Sequence, residues 1–390
     1  MKGPVISLFT RRKLLQFTAG VPLLAAASSQ EAAAQGLGTD YDVIVLGAGV
    51  AGLAAAERLV SLDDEIKVLV LEARDRIGGR VHSVGSASSS RDADLGALSL
   101  KQSLGADWPV AERLGLHVDE FSDGSLGLYP GMSALVRALA ESSTGRVQLD
   151  SAVREVFWRE GLVGVNYMNR GLSSAVTARR LVISLPAGVL RSGALAISPA
   201  LPVSKLEALN ALNLEPALSF AFLFPPGSAR LRDPSQPWLF EDATTRLRAF
   251  PGGAENDLLL EAQFRGARAD ALAGQPESLQ LALALRAFEP AFEALPSLDA
   301  ARWSGATNWL SEQFSRGAAT QAATTLTHLE LARSLGGTVF FAGEATADPA
   351  DVGTVHGAYD SGERAAREVA LSLNLELELA DPNEPILELL

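Results

Sequence analysis

Residues 41–83, YDVIVLGAGVAGLAAAERLVSLDDEIKVLVLEARDRIGGRVHS, constrain this chain more than any others, because they spell a strand, a glycine turn, a helix and a second strand in one βαβ unit. The apolar run 43–46 reads as a strand buried on both faces. Where it ends, Gly47, Gly49 and Gly52 form GxGxxG and lead into a helix over residues 50–60. In that pattern Gly47 permits the tight turn, Gly49 lets backbone N–H groups approach a pyrophosphate, and Gly52 lets the helix lie close on the sheet. The helix start gathers free N–H groups and the positive end of its dipole, which favour an anion. A second apolar strand, 68–71, ends at Glu72, about twenty residues past the last glycine, where a carboxylate can accept both hydroxyls of an adenosine ribose. The unit is therefore read as a dinucleotide site that excludes a 2′-phosphate.

The residues just after Glu72 favour FAD over a nicotinamide dinucleotide. Arg74 and the run Arg76, Ile77, Gly78, Gly79, Arg80 bring cations and a second flexible loop to the same pyrophosphate. Here the chain resembles the flavin amine oxidase family, which includes monoamine oxidases, polyamine oxidases and lysine-specific histone demethylases. The resemblance continues in the family's order. Asp94, Leu95, Gly96 and Ala97 are similar to the segment whose backbone passes the flavin ring, and residues 130–135, PGMSAL, to a helix entry. Residues 147–149 followed by Val153 and Val156 are similar to the strand pair that holds the adenine, with Val153 the implied contact. Residues 181–190 resemble the strand leaving the FAD domain, and residues 340–346, FFAGEAT, and 353–362, GTVHGAYDSG, resemble the closing signature.

The closing signature also has a direct chemical reading. A buried strand over 338–342 delivers Gly343 and Glu344 to the mouth of a parallel sheet, where the carboxylate can hold a ribityl chain. Gly353 then opens a long amphipathic helix whose N–H groups at Thr354 and Val355 can face the flavin N1 and C2 carbonyl. The fold class expected is α/β: a Rossmann-like FAD domain assembled from residues 40–97, 125–190 and 335–372, with a mixed-sheet substrate domain from 98–124 and 191–334. A meander over 153–180, strands over 218–224 and 258–264, helices over 204–210 and 277–288, and an acidic tail over 373–390 complete it.

The resemblance implies oxidation of a C–N bond of an amine or amino acid by hydride transfer to flavin N5, but this chain departs from the family where substrate would bind. Only one helix, 109–114, is evident where the family carries a longer insertion. Ala217 aligns with a lysine that holds water near N5, and Ala319 with an aromatic beside the amine. Thr354 takes a second aromatic position, and Trp303 is either a pocket wall or a core residue. These four are pocket candidates; no side-chain base is identified. None of Lys2, Lys13, Lys67, Lys101 and Lys205 falls suitably, which implies slow reaction with oxygen and dehydrogenase behaviour. A flavin desaturase of a larger apolar substrate, or a degenerate flavoprotein subunit, fits the same departures.

Composition narrows the remaining classes. With 390 residues and 47% hydrophobic content the chain can bury two cores, and a formal charge of -13 disfavours nucleic acid as a partner. Cysteine is absent, so a cysteinyl flavin link is excluded and FAD is expected to be noncovalent. The four histidines show no metal spacing, and His356 reads as a helix-surface residue. Residues 1–34 resemble a twin-arginine signal, with Arg11, Arg12 and Lys13 before a short apolar core at 17–27 and a small-residue site at 32–34. That core is shorter than the roughly 20 residues of a membrane span, so the expected destination is periplasmic or exported.

Overall fold

Strand Tyr41–Leu46 places Val43 and Val45 in one apolar core and Ile44 and Leu46 in another, as the two-residue period of a strand covered on both faces requires. All four side chains are fully buried. The computed structural model describes residues 38–375 except 86–88, 102–103, 106, 122–123, 144, 234–237, 251–256 and 322. The expected signal peptide and most of the acidic tail lie outside the described residues.

The first core lies under helices Val50–Leu62, Ser133–Ser142 and Val355–Leu373. Gly362 sits where the first and last of these cross. A Cβ there would stand 2.3 Å from the Ala51 carbonyl oxygen, so no other residue lets the helices approach this closely. Helix Val50–Leu62 outruns the expected end at residue 60, because its backbone turns extended only at Asp63, whose Oδ1 accepts the Glu65 N–H at 3.0 Å.

The first sheet has eight strands. Tyr41–Leu46 pairs in parallel with Val68–Leu71 on one side and with the end of Leu172–Ile183 on the other. Val147–Gln148 and Val339–Phe341 extend this parallel portion. The expected meander is present as Ser151–Arg159, Leu162–Asn169 and Leu172–Ile183, turning at the positive-φ residues Gly161, Arg170 and Gly171. Its last strand runs on into the parallel core, so one twelve-residue strand serves both arrangements.

The second sheet orders strands Trp238–Glu241, Thr245–Phe250, Leu258–Arg265, Ala217–Phe224 and Trp303–Asn308, all antiparallel. Its outer face, with Leu218, Phe220, Phe222 and Phe224, packs against Ala284, Leu285 and Phe288 of the segment around helix Glu277–Arg286. The opposite face turns Ala221, Leu223 and Leu259 toward Ala93 and Leu95, just before Gly96. Contrary to a boundary at Arg191, residues 191–212 remain with the first sheet. Ala196–Ser198 pairs with Ser151–Arg159, while Ala208 and Leu209 of helix Val203–Ala211 join the second core under that sheet. Between residues 98 and 124, helix Pro109–Arg113 is joined by strand His117–Glu120, which pairs with Leu126–Tyr129. Among the described residues no helix is long and apolar enough to cross a membrane.

Candidate cofactor and substrate cavity

A cavity of about 650 Å³ runs from the C-terminal edge of the parallel strands to the inner face of the second sheet. At its start the strand Tyr41–Leu46 ends and Gly47 takes φ +99°, a conformation only glycine adopts without strain. Gly49 and Gly78 bridge across the two loops, and the Gly78 N–H donates to the Ala48 carbonyl at 2.8 Å. An added Cβ on Gly49 would meet nothing nearer than 4.0 Å, so a side chain here would occupy the cavity itself. Gly52 has a different role. Its Cβ would fall 2.0 Å from the Gly47 carbonyl oxygen, which makes it a packing glycine beneath the turn and outside the lining.

Glu72 reaches the lining from the end of Val68–Leu71 and is nearly buried. Its Oε2 accepts the Ala48 N–H at 2.8 Å and its Oε1 the Arg74 N–H at 2.9 Å. Each oxygen keeps a further lone pair for a ribose hydroxyl. The Arg74 guanidinium is held by Glu312 and Ser315 and lies over the Phe314 ring. Burial, then the nearby Arg76 and Arg74 charges, depress His82 to about 4, so it is neutral at physiological pH.

Opposite these loops, Glu344 follows Gly343 out of strand Val339–Phe341. Its Oε1 accepts from Arg80 Nη1 at 2.8 Å and from the Thr320 hydroxyl at 2.9 Å. Arg80 also donates to the Ala318 carbonyl at 2.6 Å, so it clamps three segments together. Thr354 is the N-cap of Val355–Leu373, its hydroxyl accepting the Gly357 N–H at 3.0 Å. Thr354, Val355, Gly79 and Val153 all line the cavity.

The segment bearing Gly96 and Ala97 is held one polar backbone group at a time by the second sheet and the loop after it. Trp309 Nε1 donates to the Leu95 carbonyl at 3.0 Å, Gln263 Nε2 to the Gly96 carbonyl at 3.0 Å, and Arg248 Nη1 to the Leu98 carbonyl. Glu261 accepts the Asp94 N–H. Asp94, Arg248 and Glu261 form a buried cluster in which two carboxylates share one guanidinium. Burial and the Glu261 charge push the Asp94 carboxyl well above its ordinary value.

Of the four pocket candidates, Ala217, Ala319 and Thr354 line the cavity, and Trp303 does not. Trp303 sits on an outer strand opposite Leu223 and, partly buried, packs against the small core that holds Leu95 and Leu223. The indole that does reach the cavity is Trp309, buried on the loop after that strand. Lys101 corrects the lysine reading. It lines the cavity and pairs with Asp351 at 2.6 Å. His356 is buried rather than on the surface, with Nε2 3.1 Å from the same Asp351. No sequence period marks these contacts, because each joins segments more than two hundred residues apart or turns a helix face inward at its first turn.

A sequence model described as flavin containing amine oxidoreductase matches residues 50–126 and 110–370. The chain belongs to that family. The chain is 27% identical over 451 residues to lysine-specific histone demethylase 1 homolog 3 of Oryza sativa subsp. japonica, an alignment that covers 85% of this chain and 54% of that protein. It thus spans about half the length of that relative. A 44-residue stretch, 11% of this chain and 8% of the relative, is 54% identical to amine oxidase [flavin-containing] A of Canis lupus familiaris. Among solved structures, cyclohexylamine oxidase from Brevibacterium oxydans IH-35A superposes with a TM-score of 0.66 at 16% identity, covering 86% of this chain and 100% of that one. Putrescine oxidase bound to putrescine superposes at 0.65 and 17% identity, covering 85% and 99%. At these identities the likeness is one of fold, and it matches the α/β class with a second sheet read from the sequence.

Proposed function

We propose that this flavin amine oxidoreductase is an exported enzyme that holds FAD noncovalently and oxidises a C–N bond of a small amine or amino acid. The observation that supports this most is the continuous cavity joining two glycine loops, Glu72 and Glu344 to a wall built by the second sheet. When bound, FAD supplies acceptance of a hydride from the carbon beside an uncharged amine, leaving an imine that water hydrolyses. The residues fit it. Gly49 and the start of Val50–Leu62 offer N–H groups to a pyrophosphate, Glu72 offers acceptors to the ribose, and Glu344 offers them to a polyol.

The chain's own contribution is position and electrostatics. Trp309 and Gln263 fix the carbonyls of Leu95 and Gly96, so the backbone facing the cavity cannot shift without breaking buried hydrogen bonds. The dipole of Val355–Leu373 presents positive partial charge beside Thr354. Absence of cysteine underlies the noncovalent attachment. Export rests on Arg11, Arg12 and the short apolar core after them, a route that carries folded, cofactor-loaded proteins.

Two measurements test the proposal. Acid precipitation of the purified protein should release all flavin into the supernatant, and flavin retained in the pellet would contradict noncovalent binding. Anaerobic mixing with a panel of amines, amino acids and polyenes should bleach the flavin with at least one amine. Bleaching by polyenes alone would identify a desaturase, and bleaching by none a degenerate subunit.

A further inference from the structure

We infer that the second-sheet wall of the cavity is an anion subsite, built on Arg265 with Arg246 and Glu241, that takes the carboxylate of an amino-acid-type substrate. The subsite presupposes the amine oxidation proposed for this cavity and names the substrate class within it. Antiparallel pairing sets the geometry. Glu241 stands opposite Arg246, Arg246 opposite Gln263, and Gln263 opposite Ser219, so these four share one face of the sheet. Two residues along from Gln263, Arg265 lies on the same face and directly opposite Ala217. Glu241, Arg246, Gln263, Arg265 and Ala217 all line the cavity. The short Ala217 side chain therefore leaves the space over this part of the sheet to its neighbour's guanidinium.

A donor count shows which group is available. Arg246 is engaged at every nitrogen: Nε and Nη2 donate to Glu241 and Nη1 to the Ser99 hydroxyl at 2.9 Å. Arg265 is not. Its Nη2 donates to Glu241 Oε1 and to the Asp242 carbonyl, each at 3.0 Å, while its Nε is buried with no acceptor among the described residues. The unpaired Nε is enclosed by protein, so the edge left for an anion arriving in the cavity is Nη1, which makes no hydrogen bond among the described residues and is not enclosed.

Charge points the same way. Two guanidiniums share the one carboxylate of Glu241, which stays ionised because hydrogen bonds from Arg246 and Arg265 outweigh the opposing effect of its burial. The cluster is net positive in a protein of formal charge -13. Such a wall repels the second ammonium of a diamine and attracts a carboxylate, and the guanidinium plane suits two-point recognition of the latter. An amine carrying a carboxylate meets both requirements of the cavity; cyclohexylamine and putrescine carry no such group.

The test is a titration of the FAD-loaded protein with benzoate, followed by perturbation of the flavin visible spectrum, with benzamide as the uncharged control. Benzoate should bind at least tenfold more tightly than benzamide, and Arg265→Gln should weaken benzoate at least tenfold while leaving benzamide unchanged. Equal binding of the two probes, or unaltered benzoate binding in Arg265→Gln, would overturn the subsite. Should Arg265→Gln fail to fold with FAD, Glu241→Gln is the second arm. Removing the competing carboxylate should tighten benzoate several-fold, and weaker or unchanged binding would count against the inference. The titration needs no turnover, so it remains readable if no amine is oxidised. Conversely, amine oxidation without benzoate binding would leave the reaction standing and remove only the subsite.

Discussion

Arg80 and Glu344 form a largely buried ion pair, Nη1 to Oε1 at 2.8 Å, between residues 264 positions apart in the chain. The pair ties the second glycine loop to the closing signature, and the Ala318 carbonyl accepts from the same nitrogen. The cavity's two long walls are thus locked to one another through a single guanidinium.

Replacing Arg80 by Ala leaves the Glu344 carboxylate buried with Thr320 as its partner among the described residues. The expected loss is about 1.5–3 kcal/mol, the range for a hydrogen bond to a charged group, because Arg80 retains some solvent contact. Urea denaturation of the FAD-loaded protein measures it, and FAD affinity should fall in parallel. A change below about 0.5 kcal/mol, the range of ordinary surface substitutions, would show that the clamp is dispensable.

Glu72 serves the protein before it serves a ligand, since both oxygens already accept backbone N–H groups from Ala48 and Arg74. Glu72→Ala should therefore weaken FAD binding by about 1.5–3 kcal/mol for each lost charge-assisted bond and also lower stability without FAD. Glu72→Gln retains an acceptor and should cost less on both counts. Fluorescence titration of the flavin-free protein gives the affinities, and apoprotein melts give the stabilities; equal affinity in all three proteins would place the ribose elsewhere.

His82 gives the fold a pH dependence of known sign. Its pKa is lowered from 6.5 to about 4, so between these values the unfolded chain binds the proton and the folded chain does not. The stability contributed by neutral His82 is complete above pH 6.5 and is lost as pH falls toward 4. Melting curves across that window should show His82→Gln losing less stability than the parent protein on acidification. Parallel curves would mean that His82 is not held neutral.

Arg11→Lys with Arg12→Lys preserves charge and the apolar core but removes the paired arginines of the proposed export signal. In a producing bacterium the variant should accumulate as precursor in the cytoplasm while the parent reaches the periplasm. Unchanged delivery in a fractionation assay would point to another route.

Adding FAD at a hundred times its dissociation constant should stabilise the apoprotein by about 2.7 kcal/mol, provided the unfolded chain does not bind it. Thermal melts with and without FAD read this shift. No shift would separate the cavity from the cofactor.

The sequence by itself determined where the first glycine turn and the Glu72 carboxylate of this cavity lie, because the groups concerned are local. Gly47, Gly49 and Glu72 belong to one βαβ unit, and strand and helix periods place them without any distant partner. The closing signature is local in the same way, running from Gly343 through Thr354 into a single helix. Tertiary structure alone decided the opposite wall of the cavity. Whether Ala217 faces a cation depends on the strand register that sets Arg265 opposite it, and a slip of one residue would turn Arg265 to the other face. Which tryptophan reaches the cavity, Trp309 instead of Trp303, depends on where an outer strand ends and its loop folds back to the Leu95 carbonyl. Lys101 and His356 meet at Asp351 only after segments about 250 residues apart in sequence are packed together. Period and propensity act over a few residues, whereas pairing register and long-range hydrogen bonds exist only once the chain has closed on itself.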